Sequence, residues 1–279
     1  MENKKKEEEM KETQYQDNLS RIKNRIVVIS GKGGVGKSTT AVNIAYGLAF
    51  AGKTVGVIDV DVHGPSIAKM MGIEGKLLQM DEKSGRPAPI RVHDNMFVLT
   101  IASLMPNPDD PLIWRGPLKM GIIKQFLQDI EWPEIDYLVV DCPPGTGDEP
   151  LSIIQLLGKV DGSVIVSTPQ DVAFLDARKT IKFSEKMNVP ILGLVENMAT
   201  FVCPHCNKPI DLFTGEGAKK AAEDFGVEIL GHIPVDVNIP KTTDSGRPYI
   251  YDFSKTAGGQ EFTKVVHRII EKIENVKIN

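Results

Sequence analysis

From residue 25 onward the chain alternates short, almost wholly apolar runs with longer stretches of mixed polarity. The apolar runs fall at 26–29, 54–58, 96–101, 137–140, 163–166, 191–195 and 228–233, and many of their residues are β-branched. Short continuous apolarity is the pattern of strands buried on both faces, as in a parallel sheet. Between them the pattern predicts helices near 37–51, 116–130, 150–158, 172–188, 215–225 and 256–275. In the last of these, Phe262, Val265, Val266, Ile269, Ile270 and Ile273 form one stripe at helical spacing, suited to packing on a sheet. Strands alternating with helices predict an α/β fold with a doubly wound, mostly parallel sheet. Residues 1–24 are polar and rich in both Lys and Glu, and read as a solvated tail, mobile or weakly helical. No internal repeat or linker divides the remainder, so 25–279 reads as a single domain.

Composition changes this picture little. The 279 residues are 41% hydrophobic and 25% charged, ordinary for a globular α/β domain. A net charge of −4 gives no global reason to bind nucleic acid or an anionic membrane. No apolar run reaches the roughly 18 residues a bilayer span requires, and the N-terminus lacks the apolar core of a secretory signal. Three cysteines are too few for a disulfide framework. The expectation is a cytoplasmic protein.

The first chemistry-bearing motif follows the first strand. Gly31-Lys-Gly-Gly-Val-Gly-Lys-Ser38 fits G-x-x-x-x-G-K-[ST], with a strand before it and a helix after it. Glycines let successive backbone N–H groups turn inward around phosphate oxygens, and the helix N-terminus adds its positive dipole end. The nucleotide-cradling set is therefore Gly31, Lys32, Gly33, Gly34, Val35, Gly36, Lys37, Ser38 and Thr39. Lys37 is expected to reach the β- and γ-phosphates, and the Ser38 hydroxyl to ligate Mg²⁺. The additional lysine, Lys32, makes the loop resemble the deviant Walker A loop of the MinD/ParA/nitrogenase-iron-protein class. That resemblance implies a lysine reaching across a dimer to the partner's nucleotide, as an arginine finger does. The plainer alternative is a solvated loop lysine.

Two strands end in acidic residues where such sheets bind ligand. Strand 54–58 runs into Asp59-Val-Asp-Val-His-Gly-Pro-Ser66. Asp61 is the candidate to orient the attacking water and to meet Mg²⁺ through water, with Asp59 supporting the metal shell or the loop. A helix-capping role ahead of Pro65 is the alternative, and His63 reads as a loop side chain. Strand 137–140 runs into Asp141-Cys-Pro-Pro-Gly-Thr-Gly-Asp148. An apolar strand ending in Asp is the Walker B pattern, so Asp141 is expected to hold Mg²⁺ through water. Gly145 is placed to offer its N–H to the γ-phosphate, and Cys142 reads as a small buried residue.

Asn197, after strand 191–195, and Pro234 with Asp236, after strand 228–233, lie on the same predicted edge. An Asn amide matches both the donor and the acceptor edges of adenine. The resembled class implies that this Asn contacts the base and that the Pro-containing segment packs over it, favouring ATP.

Cys203-Pro-His-Cys206 supplies two thiols in a tight turn, suited to a thiolate-bound metal. A metal knuckle uses four ligands, and the chain has no second C-x-x-C. His205, between the thiols, does not suit closure of the same site. A two-fold dimer completes the count, with two cysteines from each chain. A redox pair or an inert turn are the alternatives, although a thioredoxin-type unit is missing around the motif. Spacing alone leaves Zn²⁺ and an iron–sulfur cluster equally open.

Together with Trp114-Arg-Gly-Pro117 and Glu196-Asn-Met198, these motifs resemble the Mrp-type iron–sulfur cluster carrier ATPases across roughly 25–275. The resemblance implies a P-loop NTPase of the SIMIBI/MinD-like kind. It also implies a homodimeric, slow, Mg²⁺-dependent ATP hydrolase that carries a labile [4Fe–4S] cluster to apo client proteins. The tail before Arg25 has no cysteine, unlike the eukaryotic cytosolic scaffold branch, which favours the simpler bacterial or archaeal form. The competing reading is a MinD/ParA-type positioning ATPase, which needs no Cys203-x-x-Cys206 and wants a terminal membrane helix. A nitrogenase-like reductase would space its cluster cysteines apart in the chain.

Overall fold

The computed structural model describes residues 13–61, 64, 66–104, 116–203, 206, 208–210, 212, 213 and 215–276. His63, Pro65, Trp114, Arg115 and His205, singled out above, lie outside the described residues.

A helix at 13–20 (α1) leads into β1 (Ile22–Ile29), followed by α2 (Lys37–Phe50) and β2 (Val55–Asp59). A single helical turn, α3 (Ile67–Met70), precedes a small ribbon of β3 (Gln79–Met80) and β4 (Pro87–Ala88), then β5 (Ile90–His93) and β6 (Met96–Thr100). Next come α4 (Gly116–Gln128), β7 (Ile135–Asp141), α5 (Asp148–Leu157), β8 (Gly162–Ser167) and α6 (Val172–Lys186). The chain continues with β9 (Ile191–Val202), β10 (Pro209–Ile210), α7 (Gly217–Phe225) and β11 (Ile229–Val235). It closes with α8 (Asn238–Asp244), α9 (Tyr249–Phe253) and α10 (Ala257–Val276).

The main sheet has nine strands in the order β10-β9-β8-β1-β7-β2-β6-β5, with β11 paired to β9. All seven apolar runs are strands of this sheet and pair in parallel. The antiparallel additions are β5 and β10. The central strand β1 shows why the runs had to be apolar throughout. Ile26 and Val28 face one core cluster with α2 and α10, while Val27 and Ile29 face the other with α4, α5 and α6. Alternate side chains of a strand point to opposite faces, so both sets are buried only when helices cover both. The stripe of α10 packs as predicted: Phe262, Val265, Val266, Ile269 and Ile273 are buried in the first cluster.

Residues 13–24 differ from the expected solvated tail. Tyr15 and Leu19 are buried in the second cluster. The fully buried Asn18 amide donates to the carbonyls of Leu127 (3.2 Å), Gln128 (2.8 Å) and Ile130 (2.8 Å). These carbonyls are left over at the end of α4, so the N-terminal helix caps it. Among the described residues the packed body therefore begins before Arg25, at Tyr15. The one- and two-turn elements α3, α8 and α9 were also not predicted, being too short to show a period. α3 begins at Ile67 with Ser66 as its cap, two residues later than a start at Pro65.

Candidate functional site

The β1–α2 turn forms the cradle. Gly34 and Gly36 have φ of 79° and 84°, the left-handed region that favours glycine, and Gly36 caps α2. Gly31 is required for another reason: a Cβ there would lie 2.5 Å from the carbonyl oxygen of Asp176 on α6. The loop lines a cavity of about 200 Å³ together with Ser30, Asp61, Ser66, Met70 and Pro144.

Two strand ends bring three carboxylates to this side of the sheet, of which Asp61 lines the cavity. Asp59 and Asp141 are register partners on the adjacent strands β2 and β7. Lys37 Nζ lies 2.5 Å from Asp141 Oδ1 and 4.0 Å from Asp61 Oδ2. The Ser38 hydroxyl donates to Asp141 Oδ2 at 2.5 Å. Lys37 thus rests on the Walker B carboxylate, and both are buried. Burial raises the pKa of Asp141, opposed by the neighbouring ammonium and hydroxyl. Asp59 is pushed up to about 8, first by burial and then by the Asp141 charge, against the pull of two backbone N–H groups. Those groups belong to Asp61 (3.1 Å) and Ile67 (3.2 Å), so Asp59 organises the loop that carries Asp61.

The donor set fits a hard divalent cation. Ser38 and Asp141 meet at one point, and the buried Asp61 Oδ1 has no hydrogen-bond partner among the described residues. Oxygen donors of this kind suit Mg²⁺, which keeps several waters and takes substrate phosphates as ligands. Among the described residues no three His, Cys, Asp or Glu side chains converge as a self-sufficient metal cage.

The remaining candidates are distributed as follows. Lys32 lines the cavity, and its ammonium donates to Gln170 Oε1 at 3.2 Å. Gly145 has φ of 94°, but its N–H donates to the Ser30 carbonyl at 2.8 Å. To reach a γ-phosphate this amide must first leave Ser30. The buried Asn197 donates to the Val35 carbonyl at 2.8 Å, and a Cβ on Gly36 would lie 2.1 Å from the same amide nitrogen. Asn197 therefore braces the phosphate loop from β9. Asp236 accepts from the Tyr249 hydroxyl (2.6 Å) and the Asn238 N–H (2.8 Å), which fixes the start of α8. Pro234 is half-buried within β11. Gln170 was not anticipated, although its place just beyond β8 on the ligand edge marked it.

Cys203 and Cys206 sit where β9 turns back into β10; Cys203 is partly exposed and Cys206 exposed. The Cys203 N–H donates to the Lys208 carbonyl at 3.0 Å, closing the turn. Cys142 is fully buried, and burial pushes its thiol up to about 12, so it stays a neutral packing residue. A larger cavity of about 620 Å³ lies between the starts of β8, β9 and β11 and the end of α10. In its lining Lys272 pairs with Glu228 at 2.8 Å and Lys159 with Asp161 at 2.9 Å.

A family model described as ParA, NUBPL iron-transfer P-loop NTPase, matches residues 21–272. The chain belongs to this family. An iron-sulfur cluster carrier protein of Methanocaldococcus jannaschii is 46% identical over 269 residues, covering 95% of this chain and 90% of that protein. One from Saccharolobus solfataricus is 44% identical, covering 92% and 86%. A solved nucleotide-binding protein from Archaeoglobus fulgidus, in complex with ADP and with cobalt found, is 37% identical. Its TM-score is 0.75, with 86% of this chain and 93% of that one covered. The cell division ATPase MinD of Pyrococcus furiosus matches at a TM-score of 0.65 and 22% identity, over 91% and 99%, which bears on fold alone. The iron–sulfur carrier P-loop NTPase family implies nucleotide hydrolase activity. Among the described residues no helix is long and apolar enough to cross a membrane.

Proposed function

We propose that the protein is a Mg²⁺-dependent ATPase that carries a [4Fe–4S] cluster between two copies of the chain and delivers it to apo-proteins. The observation that carries this reading is the path of β9. One strand holds Asn197 against the phosphate loop and ends at Val202, directly before Cys203 at the exposed turn six residues on from Asn197. Six residues of strand span about 20 Å at roughly 3.3 Å each. The nucleotide loop and the cargo thiols are thereby attached to one rigid element.

At the nucleotide, the Gly34 and Gly36 turn directs backbone N–H groups at the phosphates. Lys37 leaves Asp141 for the β- and γ-phosphate oxygens, freeing that carboxylate for the cation site. Ser38, Asp61 and Asp141 would hold Mg²⁺, which would supply neutralisation of phosphate charge. Asp61, tethered through Asp59, orients the attacking water. Lys32 adds its charge from the second copy, where negative charge develops in the transition state. Asn197 Oδ1 and the segment of Pro234 and Asp236 bound the base. At the other end, the exposed turn suits transfer of cargo more than storage, and the carrier works in the reducing cytoplasm.

The test is anaerobic reconstitution followed by transfer to an apo [4Fe–4S] protein, alongside ATP turnover. The expected result is transfer by the wild type, loss of bound iron and sulfide in Cys203→Ser, and loss of turnover in Lys37→Ala. Zinc in place of iron and sulfide after anaerobic purification, with no transfer, would sink the carrier assignment.

A further inference from the structure

Lys32 lines the phosphate cavity, yet its ammonium is turned to a neutral acceptor, Gln170 Oε1, at 3.2 Å. Among the described residues it forms this hydrogen bond and no ion pair. The acceptor stands on a fixed support. Gln170 occupies the turn between β8 and α6, where the Ala173 N–H donates to its carbonyl at 2.9 Å and the Gly217 N–H donates to Pro169 at 3.0 Å. A Cβ on Gly217 would lie 2.5 Å from the Gln170 carbonyl oxygen, so the first turn of α7 is pressed against it. On the other side, Gly31 is pressed equally close against Asp176 of α6. The start of the phosphate loop and the turn bearing Gln170 therefore share one packed seat.

The choice of side chain matters chemically. An amide oxygen accepts from an ammonium without cancelling its charge. It fixes the direction of Lys32 while leaving the full cation available to a stronger acceptor such as a phosphate. A carboxylate in the same place would form an ion pair and compete with that phosphate.

The geometry points to Gln170 as a positioning residue that parks Lys32 in the single chain and releases it when a second copy presents its nucleotide phosphates. This rests on the reading of Lys32 as acting in trans. The parked contact opposes the paired, hydrolytically competent state, so its strength sets how much protein is needed for turnover and not the rate within a formed pair.

The experiment measures ATP turnover against protein concentration for the wild type, Gln170→Ala, Gln170→Glu and Lys32→Ala, with ADP affinity of each chain as the second readout. In Gln170→Ala the half-saturating protein concentration falls by about a hundredfold, roughly tenfold for each of the two parked lysines released per pair, with the plateau rate kept. In Gln170→Glu it rises by a similar factor, because an ion pair replaces the amide contact. ADP affinity stays at the wild-type level in both. Lys32→Ala keeps ADP binding and loses turnover. A shift of the same sign in both Gln170 variants, no shift in either, or loss of ADP binding in either overturns the parking role while leaving the trans lysine intact. Wild-type turnover in Lys32→Ala overturns the trans lysine, and the parking role with it.

Discussion

At the scale of single residues, the site is a balance of three carboxylates against one buried ammonium. Asp61 and Asp141 lie against Lys37, and Asp59, buried beside Asp141, is pushed up to about 8. Its ordinary value is 3.8, so between about pH 4 and 8 the folded chain binds more protons than the unfolded one. Stability then falls as pH rises through that window, and the contribution is complete only below it. Asp59→Asn removes this slope. The variant also loses one carboxylate acceptor for the Asp61 and Ile67 amides, a cost that does not vary with pH. Urea midpoints at pH 5 and pH 8 are expected to show the variant gaining on the wild type as pH rises. An equal gap between the two proteins at both pH values would contradict the protonated carboxyl.

At the scale of elements, α1 is the least obvious part of the fold and the easiest to test. Leu19 is 5% exposed within the second core cluster. Leu19→Ala is expected to cost about 2–4 kcal/mol, transfer and cavity terms together. Asn18→Ala withdraws three donated hydrogen bonds from the end of α4, and is expected to cost about 1–3 kcal/mol. Denaturant midpoints check both, and changes under about 0.5 kcal/mol would return α1 to a loose tail. The reason α1 was illegible is physical. It buries only Tyr15, Asn18 and Leu19, and the polar one is buried because it meets the carbonyls of a helix more than a hundred residues away. The seven main strands were legible because burial on both faces leaves no choice but continuous apolar side chains. The apolar run in β9 stops at 195, yet the strand runs to Val202 because β11 and β10 pair with its second half of mixed polarity. The phosphate loop was legible from its spacing, since its chemistry is local. The contacts that tie the site together, Lys32 to Gln170 and Asn197 to Val35, join residues 138 and 162 positions apart and leave no trace in either segment.

At the scale of the whole molecule, cysteine accounting argues for two chains around one cargo. The chain has three cysteines. Cys142 is fully buried behind Asp141, its thiol held neutral, and is closed to a cluster. Each chain therefore offers two thiols, Cys203 and Cys206, at a turn that is accessible from outside. A [4Fe–4S] cluster uses four thiolates, a set that the proposed two-fold pairing of chains would complete by bringing the same turn of a second copy to the first. Mass and metal content must then change together. Anaerobic reconstitution is expected to give about two irons and two sulfides per chain, and light scattering to give twice the chain mass only for the loaded protein in the absence of nucleotide. Cys206→Ser is expected to lose the iron and the cargo-dependent doubling together, while ADP affinity stays unchanged because the phosphate loop meets β9 at Asn197, well before the cysteine turn. Four irons per chain, or a Cys206→Ser protein that still doubles its mass on loading, would show that the cluster is held within one chain and that the pairing has another origin.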